Sequence, residues 1–116
     1  MVVIIYYIGP KILPITNLMQ SCYEGMFKYC NNLKEAPVLP ATTLVRSCYA
    51  NMFTGCNNIE KIEVNFTDWN ESIGSTTYWM SEITNKSGVN FICPEGLDTT
   101  TKDNSHVLSK WTIIRK

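Results

Sequence analysis

Cysteine and histidine are the residue types in this chain that are best suited to chemistry. A cysteine thiolate can act as a nucleophile or bind a metal, and a neutral imidazole can accept a proton or bind a metal. The sequence holds five cysteines and one histidine, but no Cys-x-x-Cys pair of the kind that structural zinc sites use. A small thiol-dependent or metal-dependent enzyme would depend on Cys93 and His106. We rank this hypothesis last, expect His106 to be solvated in its polar loop, and predict no metal site, no cofactor and no catalytic residue.

Charge and motifs exclude further classes of function. Ten basic and ten acidic residues give a formal net charge of zero, without a long run of either sign. Because nucleic-acid binding needs a clustered positive field, we predict no nucleic-acid partner. The sequence also lacks an HExxH motif and a glycine-rich phosphate loop. A protein that is not an enzyme fits these observations best.

The other four cysteines belong to a repeat of 26 residues. Residues 14 to 39 and residues 40 to 65 are identical at twelve of 26 aligned positions. A period of this length is typical of units that stack and bury a shared core. The repeated residues include the pairs Cys22/Cys48, Cys30/Cys56 and Phe27/Phe53. We expect the members of each pair to lie side by side in buried columns, with disulfide bridges as the alternative for the thiols.

Each repeat predicts one short helix followed by one strand. Cys22, Met26 and Cys30 recur every four residues, which is the spacing of the apolar face of an amphipathic helix. The alternation that places Ile62 and Val64 on one side predicts a strand at the end of the repeat. One strand per repeat, always in the same direction, would form a parallel sheet.

The other side of these strands is polar, and we predict that it is the binding surface. In neighbouring parallel strands Glu35 is expected beside Lys61, and Lys34 beside Glu60, so that opposite charges meet. The alternative is that these charges are only solvated surface, which is common for a strand face. The predicted binding residues are Lys34, Glu35, Glu60, Lys61, Glu63 and Asn65.

Residues 40 to 64 resemble a known repeat family. They begin with a proline and contain the string Phe53-Thr54-Gly55-Cys56, followed by two asparagines and the predicted strand. In these features they are similar to the BspA-like leucine-rich repeat of bacterial surface proteins and phage fibre-like proteins. The resemblance implies a leucine-rich-repeat solenoid, a binding or adhesive function, and a location at the cell surface, outside the cell or on a virion.

The predicted fold is therefore a short α/β leucine-rich-repeat solenoid in one domain, with one parallel strand and one short helix per repeat. We expect Trp69, Trp79 and Trp111 to close the open end of its core. Terminal repeats are expected to be atypical, because one side of them faces water. The assigned parts are an N-terminal strand or cap (1 to 13), two repeats (14 to 39 and 40 to 65), and a degenerate repeat with an atypical C-terminal cap (66 to 116).

These observations favour a non-catalytic recognition or adhesion module that binds a protein or glycan through its exposed sheet face. The alternative is a structural spacer or oligomerisation unit that self-associates through its sheet edges. The first eight residues are apolar, but a membrane span needs about 20 such residues. We therefore predict no membrane span, and we recognise no signal peptide in the sequence.

Overall fold

The computed structural model describes residues 19 to 116. The predicted N-terminal strand or cap and the start of the first repeat lie outside the described residues. Much of the described chain consists of consecutive turns. Its regular elements are β1 (Lys61–Glu63), a 3-10 helix (Glu71–Ile73), β2 (Asn90–Cys93) and β3 (Thr112–Arg115).

Three series of turns stand where the sequence predicted helices. We call them the first (residues 19 to 30), second (45 to 56) and third (74 to 82) turn segments. Every fourth residue in them has a positive φ, a conformation that interrupts an α-helix. Residues 19 to 116 contain no α-helix, so the prediction of one short helix per repeat is wrong. The residues with positive φ are Ser21, Gly25 and Tyr29, then Ser47, Asn51 and Gly55, and finally Gly74, Tyr78 and Glu82.

Hydrogen bonds join each turn segment to the next. Within the first segment, even-numbered residues donate to the carbonyl three residues earlier, and odd-numbered residues donate to the second segment. The Gly25 N–H, for example, donates to the Ala50 carbonyl over 2.9 Å, and the Asn51 N–H donates to Thr77 in the third segment over 3.0 Å. An α-helix would satisfy these groups internally. The turns instead direct every second N–H group toward the next segment, so neighbouring segments are hydrogen-bonded along their length.

Equivalent residues of the first two segments lie side by side. The rings of Phe27 and Phe53 are stacked with their centroids 5.8 Å apart. Those of Tyr23 and Tyr49 are stacked at 6.1 Å. The prediction that like residues meet across the 26-residue period is confirmed for these rings.

The three strands form one parallel sheet in the order β1, β2, β3. The first repeat adds only isolated bridges, from Glu35 to Lys61 in β1 and from Leu39 to Val64 directly after it. Pro37 lies between them and has no N–H to donate, which explains why no continuous strand forms there. Lys61 pairs with Asn90, and Asn90 with Thr112, so the offset between strands is 29 and then 22 residues instead of 26.

The predicted leucine-rich-repeat solenoid is therefore wrong. Its helices are replaced by turn segments, and the strands of the sheet do not follow the repeat period. The described residues form a compact unit with a radius of gyration of 12.8 Å and extents of 33 × 31 × 24 Å. The positive φ at every fourth residue and the proline in the first predicted strand are the physical reasons for the difference.

The core lies between the turn segments and the sheet, with Trp79 fully buried in it. Trp69 and Trp111 are buried as well, so all three tryptophans are core residues, but the open solenoid end that they were predicted to close is absent from the described fold. Trp111 stacks on Phe91 with ring centroids 6.2 Å apart. The aromatic rings packed around Trp79 are Tyr49, Phe53, Phe66, Trp69 and Phe91.

Candidate functional site

The polar side of the sheet carries most of the predicted binding residues. Strand register places side chains of β1, β2 and β3 in rows across this side, because successive residues of a strand point to opposite faces. We call this surface the outer sheet face. It comprises Glu35, Lys61, Glu63, Asn65, Asn90, Ile92, Thr112, Ile114 and Lys116.

The first row of the outer sheet face contains the predicted pair of Glu35 and Lys61. The Lys61 Nζ lies 3.9 Å from the Glu35 Oε1, so this prediction is confirmed. In the described part of the chain, no ion pair joins Lys34 to Glu60. Their contact is made by the backbone, where the Glu60 N–H donates to the Lys34 carbonyl over 2.6 Å. The prediction of a second ion pair between these strands is wrong.

The second row consists of Glu63, Ile92 and Ile114, and Lys116, which the sequence did not single out, lies just beyond it. The Lys116 Nζ lies 3.0 Å from the Glu63 Oε2 and donates a hydrogen bond to Asn65 as well. Ile114 adds an apolar side chain that is 39% exposed. Asn90, Thr112 and Lys116 escaped the sequence analysis because their strands lie outside the 26-residue period. The available signal for Asn90 was a single polar residue between the apolar Val89 and Phe91 at the start of β2.

A second polar site is a cleft between the 3-10 helix, the third turn segment and the loop around residue 105. Its volume is about 240 Å³. We call it the His106 cleft. The residues that matter for its chemistry are Glu71, Thr76, Thr77, Asp103, Ser105 and His106.

His106 is buried in this cleft and not solvated, which corrects the sequence expectation. Its Nδ1 lies 2.7 Å from the Asp103 Oδ1, and the edge of Trp69 packs against its ring at a centroid distance of 4.9 Å. Its Nε2 lies 3.4 Å from the Glu71 Oε1 and makes no hydrogen bond within the described residues. The imidazole is therefore oriented by one carboxylate and directs its other nitrogen toward a second.

Local sequence explains how these groups are positioned. The Ser105 N–H donates to the Asp103 Oδ1 over 2.8 Å, which is the turn that aspartate typically forms with its own backbone. Burial alone would raise the pKa of Asp103, but hydrogen bonds from His106 and from the Ser105 amide lower it overall. Glu71 is the first residue of the 3-10 helix, which ends at Gly74 with φ 65°. The short segment Asp103-Asn104-Ser105-His106 was the sequence signal for this site.

Four of the five thiols are buried in the core. All five cysteines are unpaired, and only Cys22 is exposed, so the expected burial is wrong for that one column position. Burial raises the pKa of the Cys56 thiol to about 12, and its Sγ–H donates to the Phe27 carbonyl over 2.9 Å. Burial also raises the pKa of Cys93, although the neighbouring Arg115 guanidinium opposes this. Nucleophilic thiols have lowered pKa values, so these buried groups have the character of core residues.

Cys93 and His106 make separate contacts. The Cys93 Sγ lies 3.4 Å from the Arg115 Nη1, whereas His106 contacts Asp103, Glu71 and Trp69. Within residues 19 to 116, no group of three or more His, Cys, Asp or Glu side chains is arranged to hold a metal ion. An enzyme built on Cys93 and His106 together has no support in this geometry.

Comparison with known proteins adds no relative. No protein-family model, no curated protein and no solved structure matches the chain. The described residues also include no helix with the length and apolar character needed to cross a bilayer. Function must therefore be inferred from the two polar sites.

Proposed function

We propose that the protein is a non-catalytic binding module that recognises a protein or glycan through the outer sheet face. The observation that carries this proposal is the register of the sheet, which aligns Lys61, Asn90 and Thr112 in one row. Side chains in such a row are held at fixed spacing by the backbone. A surface of this kind suits recognition, because the positions of its polar groups do not have to be ordered when a ligand binds.

The size and chemistry of the row favour a polar ligand of several sugar rings or a short peptide. With strands about 4.8 Å apart, the row from Glu35 to Thr112 spans about 14 Å. It offers a carboxylate, an ammonium group, an amide and a hydroxyl, and thus both donors and acceptors. Because Lys61 already lies beside Glu35, a ligand without a large net charge is favoured.

The opposite side of the same strands supports this surface. Ile62 and Phe91 are fully buried beneath the row and belong to the central core. Strands fixed in this way limit the motion of the outward side chains. The entropy lost on binding is correspondingly small.

Arrays of glycans and peptides, probed with the purified chain, test the proposal. For any ligand found, we expect Lys61→Ala or Asn90→Ala to weaken binding by about tenfold or more, as is common for a central contact. Lys28→Ala is the matched control, because Lys28 is an exposed lysine of the first turn segment, outside the sheet. Equal affinity of all three variants for the ligand, or a lack of any ligand, would refute a binding function for this face.

Self-association is the second candidate, and the outer edge of β3 favours it. No further strand pairs with β3 in residues 19 to 116, and Ile114 on this strand is partly exposed. Unpaired edges can join copies of a chain, although nearby Arg115 and Lys116 oppose this through their charge. Light scattering distinguishes the two candidates. A chain that is monomeric at all concentrations would exclude self-association. The surface or virion location implied by the resemblance stays a prediction.

A further inference from the structure

The outer edge of β3 presents backbone groups that the described chain does not use. The N–H groups of Thr112 and Lys116 donate toward β2 over 2.9 and 3.1 Å. Successive residues of a strand direct their N–H and C=O groups to opposite edges, so those of Ile113 and Arg115 point away from the sheet. No hydrogen bond from residues 19 to 116 reaches these four groups, and no strand pairs with β3 on this side. We call them the β3 edge.

The β3 edge lacks the usual protection against strand pairing. Natural sheets guard an edge with charged side chains, a proline, a bulge or a covering loop. β3 contains no proline, and it pairs with β2 in regular register over all four residues. Its two cationic side chains are directed back over the sheet. The Arg115 guanidinium donates to the carbonyls of Pro94 and Leu97 over 2.9 and 2.6 Å, and the Lys116 Nζ lies 3.0 Å from Glu63 in β1. The edge is therefore open to an extended chain.

The side chains beside the edge determine what such a chain should carry. Thr112, Ile114 and Lys116 point to the outer side of the sheet, because they alternate with Ile113 and Arg115. Ile114 is 39% exposed and lies next to Ile92, so an apolar side chain opposite Ile114 would remove apolar surface from water. Opposite Lys116, a carboxylate would be attracted.

We propose that the β3 edge binds an extended peptide segment of another protein, which adds to the sheet as one further strand antiparallel to β3. In this mode of recognition, backbone hydrogen bonds supply affinity and alternate side chains supply specificity. Antiparallel pairing is slightly more stable per residue than parallel pairing. The preferred segment has an acidic residue opposite Lys116, a β-branched apolar residue two positions later opposite Ile114, and a polar residue after two more opposite Thr112.

Charge favours such a peptide over a second copy of the chain. Two antiparallel β3 strands, bonded through Ile113 and Arg115, would make the two Arg115 side chains diagonal neighbours on one side of the sheet. Like charges at this spacing repel. Arg115 has no ion pair within the described residues that would neutralise it. An acidic peptide avoids the repulsion and is attracted to both cations.

This site goes beyond the proposed function and does not rest on it. Lys61 lies three strand spacings, about 14 Å, from the added strand. Lys61→Ala should therefore weaken a ligand of the outer sheet face and leave the peptide at the edge unaffected. Either proposal can fail while the other stands.

Hydrogen exchange followed by NMR tests the site directly. The probe is a ten-residue threonine-rich peptide with one glutamate and, two positions later, one valine. We expect the amide hydrogens of Ile113 and Arg115 to exchange rapidly in the free chain, and at least tenfold more slowly with saturating peptide. The amide of Ile114 is the internal control, because it faces β2 and should be protected in both states.

Methylation of the peptide backbone provides the matched control. The residue between glutamate and valine and the residue after valine would direct their N–H groups to β3, whereas that of valine would point away. We expect N-methylation of the first two to weaken binding by at least tenfold, and N-methylation of valine to change it by less than about threefold.

One variant of the protein complements the peptide series. Ile113→Pro removes an outward N–H donor and no bond to β2, so proline is tolerated at this edge position. We expect it to weaken the probe peptide by at least tenfold, whereas Lys61→Ala should leave the affinity within twofold. Circular dichroism verifies that both variants are folded.

Three results would overturn the proposal. One is exchange at Ile113 and Arg115 that saturating peptide does not slow. Another is an equal loss of affinity for all the methylated peptides, which would exclude strand addition. The third is slow exchange of these two amides in the free chain, which would show that the edge is already covered, by a second copy if light scattering then finds a dimer.

Discussion

Residues 19 to 65 and residues 66 to 116 are held together in different ways. In the first region, backbone amides of one turn segment donate to backbone carbonyls of the next, and like residues lie side by side. In the second region, side chains make many of the long-range bonds. The Trp69 Nε1 donates to the Asp98 carbonyl over 2.7 Å, and the Trp79 Nε1 donates to the His106 carbonyl over 2.8 Å.

This difference determines where polar chemistry can reside. A backbone ladder leaves little reason to bury polar side chains, and apart from the tyrosines and cysteines of its core, Thr54 is the one buried polar residue between residues 19 and 65. The second region must bury polar side chains to satisfy its irregular loops, and the His106 cleft results from this. The buried polar residues there are Ser75, Thr76, Thr99 and His106.

The largest expected effect is at Trp79, where the two regions meet. Its ring packs on Tyr49 and Phe53 of one region and on Phe91 of the other. We expect Trp79→Ala to lower the free energy of unfolding by about 3–5 kcal/mol, because it removes both sets of contacts and an indole hydrogen bond. Urea denaturation measures this loss.

The adjacent residue provides the control for this experiment. Tyr78 is 58% exposed, and we expect Tyr78→Ala to change stability by less than about 0.5 kcal/mol. Similar losses for the two variants would mean that Trp79 does not join the two regions.

The pH dependence of stability should distinguish Cys56 of the first region from Cys93 of the second. The pKa of Cys56 is raised from 9.0 to about 12 by burial, so the folded chain retains a proton that the unfolded chain releases. The resulting stabilisation is complete below pH 9 and is lost as the pH rises toward about 12, to a limit of about 4 kcal/mol. At Cys93 burial also raises the pKa, but Arg115 opposes it, so the loss should be smaller.

Unfolding in urea between pH about 8 and about 11 measures this difference. Stability should decline less steeply with pH in Cys56→Ala than in Cys93→Ala. Comparing slopes removes the constant effect of the cavity that each substitution leaves. Equal slopes would contradict the assignment of the alkaline loss to Cys56.

Glycine substitutions test whether the first region consists of turns or of helices. In an α-helix, Gly25→Ala would stabilise the protein by about 1 kcal/mol. At φ 65° we expect the opposite sign, a loss of about 1–2 kcal/mol. Gly55→Ala should cost about 1–3 kcal/mol more, because its new methyl group would collide with the ring of Tyr29.

Thermal or urea unfolding of both variants measures these losses. The double variant Gly55→Ala with Tyr29→Ala controls for the collision, since it removes the ring and leaves only the backbone strain. A stabilising Gly25→Ala would contradict the turn structure directly.

The repeat in the sequence predicts neighbours better than it predicts local conformation. Identical residues 26 positions apart must share an environment, and this placed Phe27 next to Phe53 and Glu35 next to Lys61 without any knowledge of secondary structure. The i, i+4 spacing of apolar residues is shared by a helix and by turns of four residues. Gly25 and Gly55 stand at positions of their repeats that are four residues apart, and both have a positive φ. This was the signal for turns of four residues in place of the 3.6 residues per turn of an α-helix.

The candidate sites were predicted only in part, for the same reason. Lys61 and Glu63 were found because they lie inside the repeat, whereas Lys116 lies beyond it and reaches Glu63 through tertiary contacts. His106 was noticed as an isolated residue. Its partner Glu71 is 35 residues away in a loop without a repeat equivalent, so no periodic pattern relates the two.

The smallest expected effect compares the ion pair inside the repeated region with the one that joins the two regions. Lys61 and Glu35 are 3.9 Å apart with side chains 40% and 72% exposed, whereas Lys116 and Glu63 are 3.0 Å apart and only 31% and 24% exposed. Exposed ion pairs contribute about 0.2–1 kcal/mol, and shorter, less solvated pairs lie at the upper end. We therefore expect double-mutant cycles with alanine to give a coupling of about 0.2 kcal/mol for the first pair and about 1 kcal/mol for the second.

Salt provides the control for these cycles. Raising the ionic strength to 1 M shortens the screening length to about 3 Å, so both couplings should shrink while the order is preserved. If the pair of Lys61 and Glu35 proved the stronger, the repeated region would depend on side-chain charge as well as on its backbone ladder. The contrast between the two regions would then be one of spacing along the chain and not of the forces that hold them.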